Sequence, residues 1–393
     1  MIDYYLPLIL LLLLLAAFFR EDFVFTLLYL FAGAFTLSRW WSRKALVLLK
    51  TRRDLPARVF LGEQIAVELE ISNPGLLPVV WLRILESIPS ELVEAPFRRV
   101  VSLGPRERKE FFYSLRARKR GYYPVGPLIV NTGDILGIGG DVSDERLVQH
   151  LTVFPRIIPL TKLILPSRSP MGTLRHVQPI FADPSRVIGK REYIAGDSLR
   201  TIDWKATAAT GDLQVKLFEP SIALETVLML NLDGLDYGRK AKYTSTELAI
   251  VAAASIANYV VDKRQAVGLF TNGNDPLGIE EKAQPLLPRK GREGLMYLLE
   301  VLARVEMSEG KPYLEMLGKE ISRLPWGTTL ILITGHVDER IFDELFQARR
   351  AGMSGVLVLC GPVPGFSSIR EQALQFGFPI YQLFNEQDLD IWR

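Results

Sequence analysis

ETVLMLNLD, residues 225–233, decides the architecture of the C-terminal half. The run is nearly continuous in apolar residues, as a strand buried on both faces requires. Outward from it, strand and helix patterns alternate. STELAIVAAASIANYVVDKR at 245–264 is helix-like and long enough to be a crossover, and QAVGLFTNG at 265–273 is a second strand. Helices are predicted over 291–306 and 311–324, a third strand at TTLILITG, 328–335, and a helix with a glycine stop over 338–352. GVLVLCG at 355–361 is a fourth strand with Cys360 inside it; a short helix near 371–376 and a last strand around PIYQL complete the pattern. Apolar strands separated by helices make a mostly parallel sheet covered on both faces, and right-handed crossovers give an open three-layer α/β sandwich. Ligands in such sheets bind beyond the carboxyl ends of the strands, here 233–236, 271–274, 334–338 and from 361 onward. Asp233 could hold a Mg²⁺ there with help from Asp236 or Thr334. The favoured alternative is that Asp233 caps the following loop, so no cofactor is expected.

Upstream lies the densest polar segment of the chain, VIGKREYIAGDSLRTIDWKATAATGDLQVKLFEP at 187–220, reached through a Pro-, Ser- and Arg-rich connector; together they occupy 156–220. Arg191, Glu192, Asp197, Arg200, Asp203, Lys205, Lys216 and Glu219 crowd it, with Tyr193, Ile202 and Trp204 interleaved. In one reading Trp204 fills a small core, and Arg191 or Arg200 pairs with Asp203 or Asp197 in a charge-assisted network. In the other, Asp197, Asp203 and Glu219 are catalytic or metal-binding carboxylates. No histidine or serine nucleophile elbow accompanies them, which favours the structural network.

Residues 55–155 read differently. QIAVELEIS at 64–72 alternates apolar and polar residues, and further strand-like runs at 77–87, 98–103 and 109–117 are separated by Gly, Pro and Asn turns. That pattern predicts a β-sandwich-like module or small barrel. The basic run ARKRGYY, 117–123, is read first as a solvated edge strand whose charges block edge pairing. Lying against anionic lipid or a partner protein is the second reading, and nucleic-acid binding the weakest. GDILGIGG at 133–140 lacks the Lys-Ser/Thr ending of a P-loop and is a loop.

At the N-terminus, 4–19 and 23–38 are each sixteen residues without a charge, split by Arg20, Glu21 and Asp22. Each spans roughly 24 Å as a helix, somewhat short of a bilayer's hydrocarbon core, a gap that local thinning and snorkelling close. The expectation is a transmembrane helical hairpin over 1–42, with Tyr4, Tyr5, Trp40 and Trp41 at the interfaces. A cleaved signal peptide leaves the second run without a role, and a buried helix pair is the other rival. Arg39, Arg43, Lys44, Lys50, Arg52, Arg53 and Arg58 place both hairpin ends, and all that follows, in the cytoplasm. The lone cysteine excludes an intrachain disulfide framework and a Cys-rich metal site. The net charge of +3 hides two basic stretches in a chain otherwise acidic, so a uniformly basic nucleic-acid binder is excluded.

The series Arg191-Glu192-Tyr193, Gly196-Asp197, Arg200, Ile202 to Ala208, Val215-Lys216 and Phe218-Glu219 resembles the DUF58 family. RGYYPVGPLIVNTGDILGI at 120–138 also matches a pattern common in it. The resemblance implies a membrane hairpin, a β-rich part, the polar block and, over 221–393, a von Willebrand factor A-like domain. It also implies a non-enzymatic scaffold or adaptor working with a MoxR-type AAA+ ATPase in assembly or maturation of protein complexes. Two departures stand out. Ala208-Ala209 replaces a frequent Ala-Arg, and the Asp-x-Ser-x-Ser of a von Willebrand A metal site is replaced by Asp233-Gly234-Leu235-Asp236-Tyr237. Thr334-Gly335-His336 stands where Thr-Asp-Gly is expected, so a metal site of the usual kind is not implied. The alternative function is a membrane-bound hydrolase using Asp197, Asp203 or Asp233, which requires a concave site with converging carboxylates.

Overall fold

A computed structural model describes residues 22–93, 95–133, 142–163, 182–194, 201–220 and 225–392, with helical positions 10, 11, 13, 14 and 18 ahead of them. The chain divides into two compact units: Met1–Arg156 with Leu302–Arg304, and Ile157–Val301 with Val305–Arg393. Most of the first apolar run, and its Arg20-Glu21 break, lie outside the described residues.

In the first unit a 27-residue helix, α1 (Asp22–Leu48), is long and apolar enough to cross a membrane. It opens with Asp22 in its first turn, where a carboxylate complements the helix dipole. It does not stop near 42 as expected. Ser38, Ser42, Ala45 and Leu46 recur at helical spacing and are buried, with Trp41 half-buried beside them. This stripe gives the last three turns a face to pack on the β-rich part, where Ala45, Leu46 and Leu49 join Leu69, Ile71, Leu82, Ile84 and Leu128 in one core. Trp41 Nε1 donates to Pro78 O at 3.0 Å rather than facing a lipid interface; Trp40 remains exposed. The Arg146 guanidinium donates to the Leu46 carbonyl at 2.7 Å and to that of Leu49. It thereby satisfies carbonyls that a helix end leaves without partners.

Three small sheets follow. β1 (Lys50–Asp54), β3 (Gln64–Ser72) and β6 (Arg108–Arg116) form one; β2 (Arg58–Phe60), β10 (Gln149–Phe154) and β7 (Gly121–Val125) another. β5 (Arg98–Leu103), β4 (Val79–Glu86), β8 (Leu128–Thr132) and β9 (Val142–Arg146) form the third. Period-two burial is plain in β3, where Ile65, Val67, Leu69 and Ile71 point inward. The same alternation sets the place of Arg53. Its position on β1 faces the interior, where its side chain is fully buried against an equally buried Glu86. Arg53 Nε also donates to Gln149 at 2.7 Å and Nη2 to Val125 O at 2.8 Å, while the Tyr113 hydroxyl donates to Glu86. The basic run resolves as an exposed turn at Arg118-Lys119 leading into β7, an edge strand. Tyr122 stacks on His150 at 4.7 Å, and the Tyr123 hydroxyl donates back to Lys119 O at 3.0 Å. Both tyrosines are thus used within the fold. Of the glycine-rich loop, 134–140 lies outside the described residues.

The second unit is built on a six-stranded sheet in the order β15-β14-β13-β16-β17-β18. The strands are β13 (Glu225–Leu230), β14 (Ala266–Thr271), β15 (Leu286–Arg289), β16 (Thr329–Thr334), β17 (Ser354–Cys360) and β18 (Ile380–Leu383). Only β15, a short edge strand not legible in the sequence, runs antiparallel. Between the strands run α3 (Lys242–Asp262), α4 (Gly291–Arg304), α5 (Tyr313–Ile321), α6 (Glu339–Arg350) and α7 (Phe366–Gln375); the short α2 (Trp204–Thr210) precedes them. Val227, Met229, Leu330, Leu332, Leu357 and Leu359 share a core with α5 and α6. Alternate residues point to the opposite face, which α3 crosses. That helix also passes the length and apolarity test for a membrane span, but most of it is buried. Strand order reverses between β13 and β16, so the switch point at which doubly wound sheets bind ligands lies at their carboxyl ends.

Candidate functional site

At that switch point the sequence supplies amides. Asn231, fully buried just past β13, donates through Nδ2 to Asp236 Oδ2 at 2.7 Å and to Thr334 Oγ1 at 2.9 Å. Its Oδ1 accepts from the Asp233 N–H at 2.9 Å and from Asn272 Nδ2 at 3.0 Å. Its carbonyl accepts the Tyr237 hydroxyl at 2.6 Å. Asn272 continues the network, accepting from Leu232 N at 2.7 Å and donating to Lys311 O at 2.8 Å. Buried polar groups of this density persist only when they are satisfied, and here strand ends and loops satisfy one another. Burial holds the Tyr237 phenol far above its usual range, with Cys360, Tyr313 and Asp236 adding to the effect. Its ring packs against Gly335, where a Cβ would overlap it.

Asp233 sits in this network as a cap. Its Oδ1 accepts from Leu235 N at 3.1 Å and from Gly310 N at 3.2 Å, closing the short 3-10 turn Gly234–Asp236. Asp233, Asp236 and Thr334 gather at one end of the sheet, where Asp233 Oδ1, Asp236 Oδ2 and Thr334 Oγ1 each accept from N–H donors of the chain itself. Among the described residues, no group of three His, Cys, Asp or Glu could hold a metal ion. Asn231 and Asn272, which organise the site, escaped the sequence reading. The signal is an amide at the carboxyl end of each of two strands.

The polar block forms a strand–helix–strand element. β11 (Ala182–Glu192) pairs antiparallel with β12 (Gln214–Pro220), bringing Lys190 opposite Lys216. Like charges facing each other across strands destabilise, and Asp203 supplies the counter-charge. Its Oδ2 lies 2.9 Å from Lys190 Nζ, while Oδ1 accepts from Lys205 N and Ala206 N at 3.2 Å, capping α2 (Trp204–Thr210). The Lys190 hydrogen bond, then the Ala206 N–H and the field of Lys216, hold the Asp203 carboxyl below its usual range. Gly211, at φ 84°, ends the helix. Asp203 N donates to Gln214 O and Tyr193 N to Leu213 O, both at 2.8 Å, so 193–194, 203–204 and 213–214 meet at one end of the element.

Asp203 pairs with Lys190, and Arg191 Nη1 donates to the Glu192 carbonyl at 3.0 Å. One expectation fails here. Trp204 does not fill a core: α2 buries none of its residues, and Trp204 is 68% exposed. Ile202, bridged to Val215, is buried instead. Glu192 and Lys205 are exposed, and Tyr193 and Lys216 are half-buried. Asp197 and Arg200 lie outside the described residues, as does the side chain of Glu219.

A separate groove of about 640 Å³ opens past the end of β14, against α5. Asn272, Glu280, Lys282, Lys311 and Glu315 line it; Asp203 and Asp233 do not.

A doubly wound α/β unit, its switch point closed by its own amides and preceded by a polar strand–helix–strand element, defines the class of domain. Residues 189–348 match the family described as "Protein of unknown function DUF58", and the resemblance read from the sequence is borne out over that stretch. The chain is also 24% identical over 308 residues to the uncharacterized protein YeaD of Bacillus subtilis (strain 168), covering 76% of this chain and 72% of that one. Among solved structures, the CARDB domain of the PF1109 protein from Pyrococcus furiosus is 16% identical. It covers 27% of this chain and 86% of that one, at a TM-score of 0.20. A region of alpha-2-macroglobulin from Escherichia coli is 18% identical over 29% of this chain and 18% of that one, at 0.25. Likeness at that level assigns no fold to this chain.

Proposed function

We propose that this chain is a membrane-anchored, non-enzymatic scaffold or adaptor that works with a MoxR-type AAA+ ATPase, its two folded units on the cytoplasmic side. In this reading 1–42 is a helical hairpin, 55–155 a sandwich-like module and 221–393 a von Willebrand factor A-like domain. The apolar helix α1 with its basic C-terminal third supports the anchor and its orientation. The doubly wound sheet with one antiparallel edge strand supports the von Willebrand-like reading.

The observation that carries the adaptor role is Trp204. A large aromatic side chain lies 68% exposed on an element whose backbone is fixed by the Asp203 cap, the Lys190 pair and the Gln214 and Leu213 hydrogen bonds. Exposed aromatics on fixed backbones are the anchors that protein interfaces bury. At the switch point, by contrast, the polar groups are spent on one another. Capture of the ATPase from detergent-solubilised membranes tests the assignment. The wild type should retain it and Trp204→Ala should lose it, with both folded to the same extent by circular dichroism. Undiminished capture by folded Trp204→Ala would remove this element as the docking surface.

A further inference from the structure

α1 carries two different stripes below its apolar run. Ser38, Trp41, Ser42, Ala45 and Leu46 face the β-rich part and are buried or half-buried there. On the other side, Phe35, Thr36, Arg39, Trp40, Arg43, Lys44 and Val47 line a shallow groove of about 420 Å³. Trp40 is 54% and Val47 76% exposed. Its described lining residues therefore present three cations and two aromatic rings, and none of them is a carboxylate. Because the first stripe is locked into the core and Arg146 holds the helix end, the cationic face cannot roll away from its direction.

We infer that this face is a docking site for the headgroup phosphate of an anionic phospholipid drawn from the bilayer, an inference that rests on the membrane-anchored reading above. Three observations converge on that ligand. The groove begins where the apolar run ends, so it stands at headgroup depth when 23–38 is in hydrocarbon. Arg39 and Arg43 are one helical turn apart, and guanidinium forks match phosphate oxygens in pairs. Phe35 and Trp40 flank them, with an apolar body for the acyl-chain root and an indole N–H suited to the interface. Each basic residue near an anionic surface is worth about a fivefold preference.

The test uses the full chain. Co-flotation with phosphatidylcholine vesicles first reports anchoring. Native mass spectrometry from micelles holding equal phosphatidylglycerol and phosphatidylcholine then reports which lipid is retained. The wild type should float and keep phosphatidylglycerol. Arg43→Gln/Lys44→Gln should float equally and lose roughly 25-fold of that preference. Lys50→Gln/Arg52→Gln removes the same charge from exposed positions on β1 and should stay within about twofold. The charge-keeping Arg43→Lys should retain most of the preference, which separates loss of the site from misfolding. Flotation without headgroup preference, or equal loss in both double variants, would overturn the site and leave the anchor standing. Failure of the wild type to float would overturn the anchor and the site with it.

Discussion

Glu86→Leu isolates the most consequential buried charge in the first unit. Its carboxylate accepts from Arg53 and from Tyr113, and both members of the ion pair are fully shielded from water. Removing the carboxylate leaves a guanidinium in the interior, and breaking a buried pair from one side costs about 3–5 kcal/mol. The hydrogen bonds from Arg53 to Gln149 and to the Val125 carbonyl survive, which argues for the lower part of that range, near 3 kcal/mol. Replacing both partners, as Arg53→Met/Glu86→Leu, removes the charge problem but strands the Tyr113 hydroxyl and the Val125 carbonyl. The double variant should therefore recover most, not all, of the loss, and adding Tyr113→Phe should recover about 1 kcal/mol more. Hydrogen exchange resolved by peptide is the suitable assay, because a chain of two units has no single unfolding free energy. Protection in β1, β4 and β6 should fall by the stated amounts, while β13 and β16 in the other unit should not respond. A loss below about 1 kcal/mol in Glu86→Leu would show that the pair is not desolvated. A double variant as damaged as the single would show that shape, not charge, governs the site.

Burial, reinforced by the Glu86 hydrogen bond, holds the Tyr113 phenol well above its usual range. A group whose folded value is raised adds stability that is fully present below its unfolded value of about 10 and is lost as pH rises beyond it. Protection in β6 should thus decline above about pH 10, and Tyr113→Phe should flatten that decline. Asp203 works with the opposite sign: its folded value is lowered, so its contribution is present above its unfolded value and lost as pH falls through the folded one. Asp203→Ala should speed amide exchange in α2 several-fold at neutral pH, and acid should produce the same change in the wild type. Asn231→Asp should destabilise the second unit by about 2–4 kcal/mol in thermal denaturation, because it sets a second carboxylate beside Asp236 and deletes the donor to Thr334. Gly335→Ala, whose Cβ would meet the Tyr237 ring, should cost about 1–3 kcal/mol by the same measurement.

The elements most legible in the sequence were those whose burial imposes a period. The runs at 225–233, 265–273, 328–335 and 355–361 became four neighbouring parallel strands, and 64–72 became β3 with its inward residues alternating. β15 was missed because LLPR is four residues long, holds a proline and pairs only on one side. α1 runs on past 42 because charge and burial occupy different faces of the same turns. Arg53 shows a related limit: composition sees a charge, whereas strand alternation sees which way it points. The polar block shows the same limit. Its clustering is visible, but whether Trp204 turns inward depends on tertiary packing, which buries Ile202 and Val215 and leaves Trp204 exposed.

α1 is continuous from its apolar run to the Leu46 and Leu49 anchors in the β-rich core. With no linker between the two, the helix is an axle and not a tether. In a bilayer, as proposed, any lean the membrane imposes on α1 is passed undiminished to the strands mounted on it. The ten residues 39–48 fix their standoff at roughly 15 Å. Whatever meets this unit must do so at grazing height above the lipid, and changes in bilayer thickness become changes in the pitch of its surface.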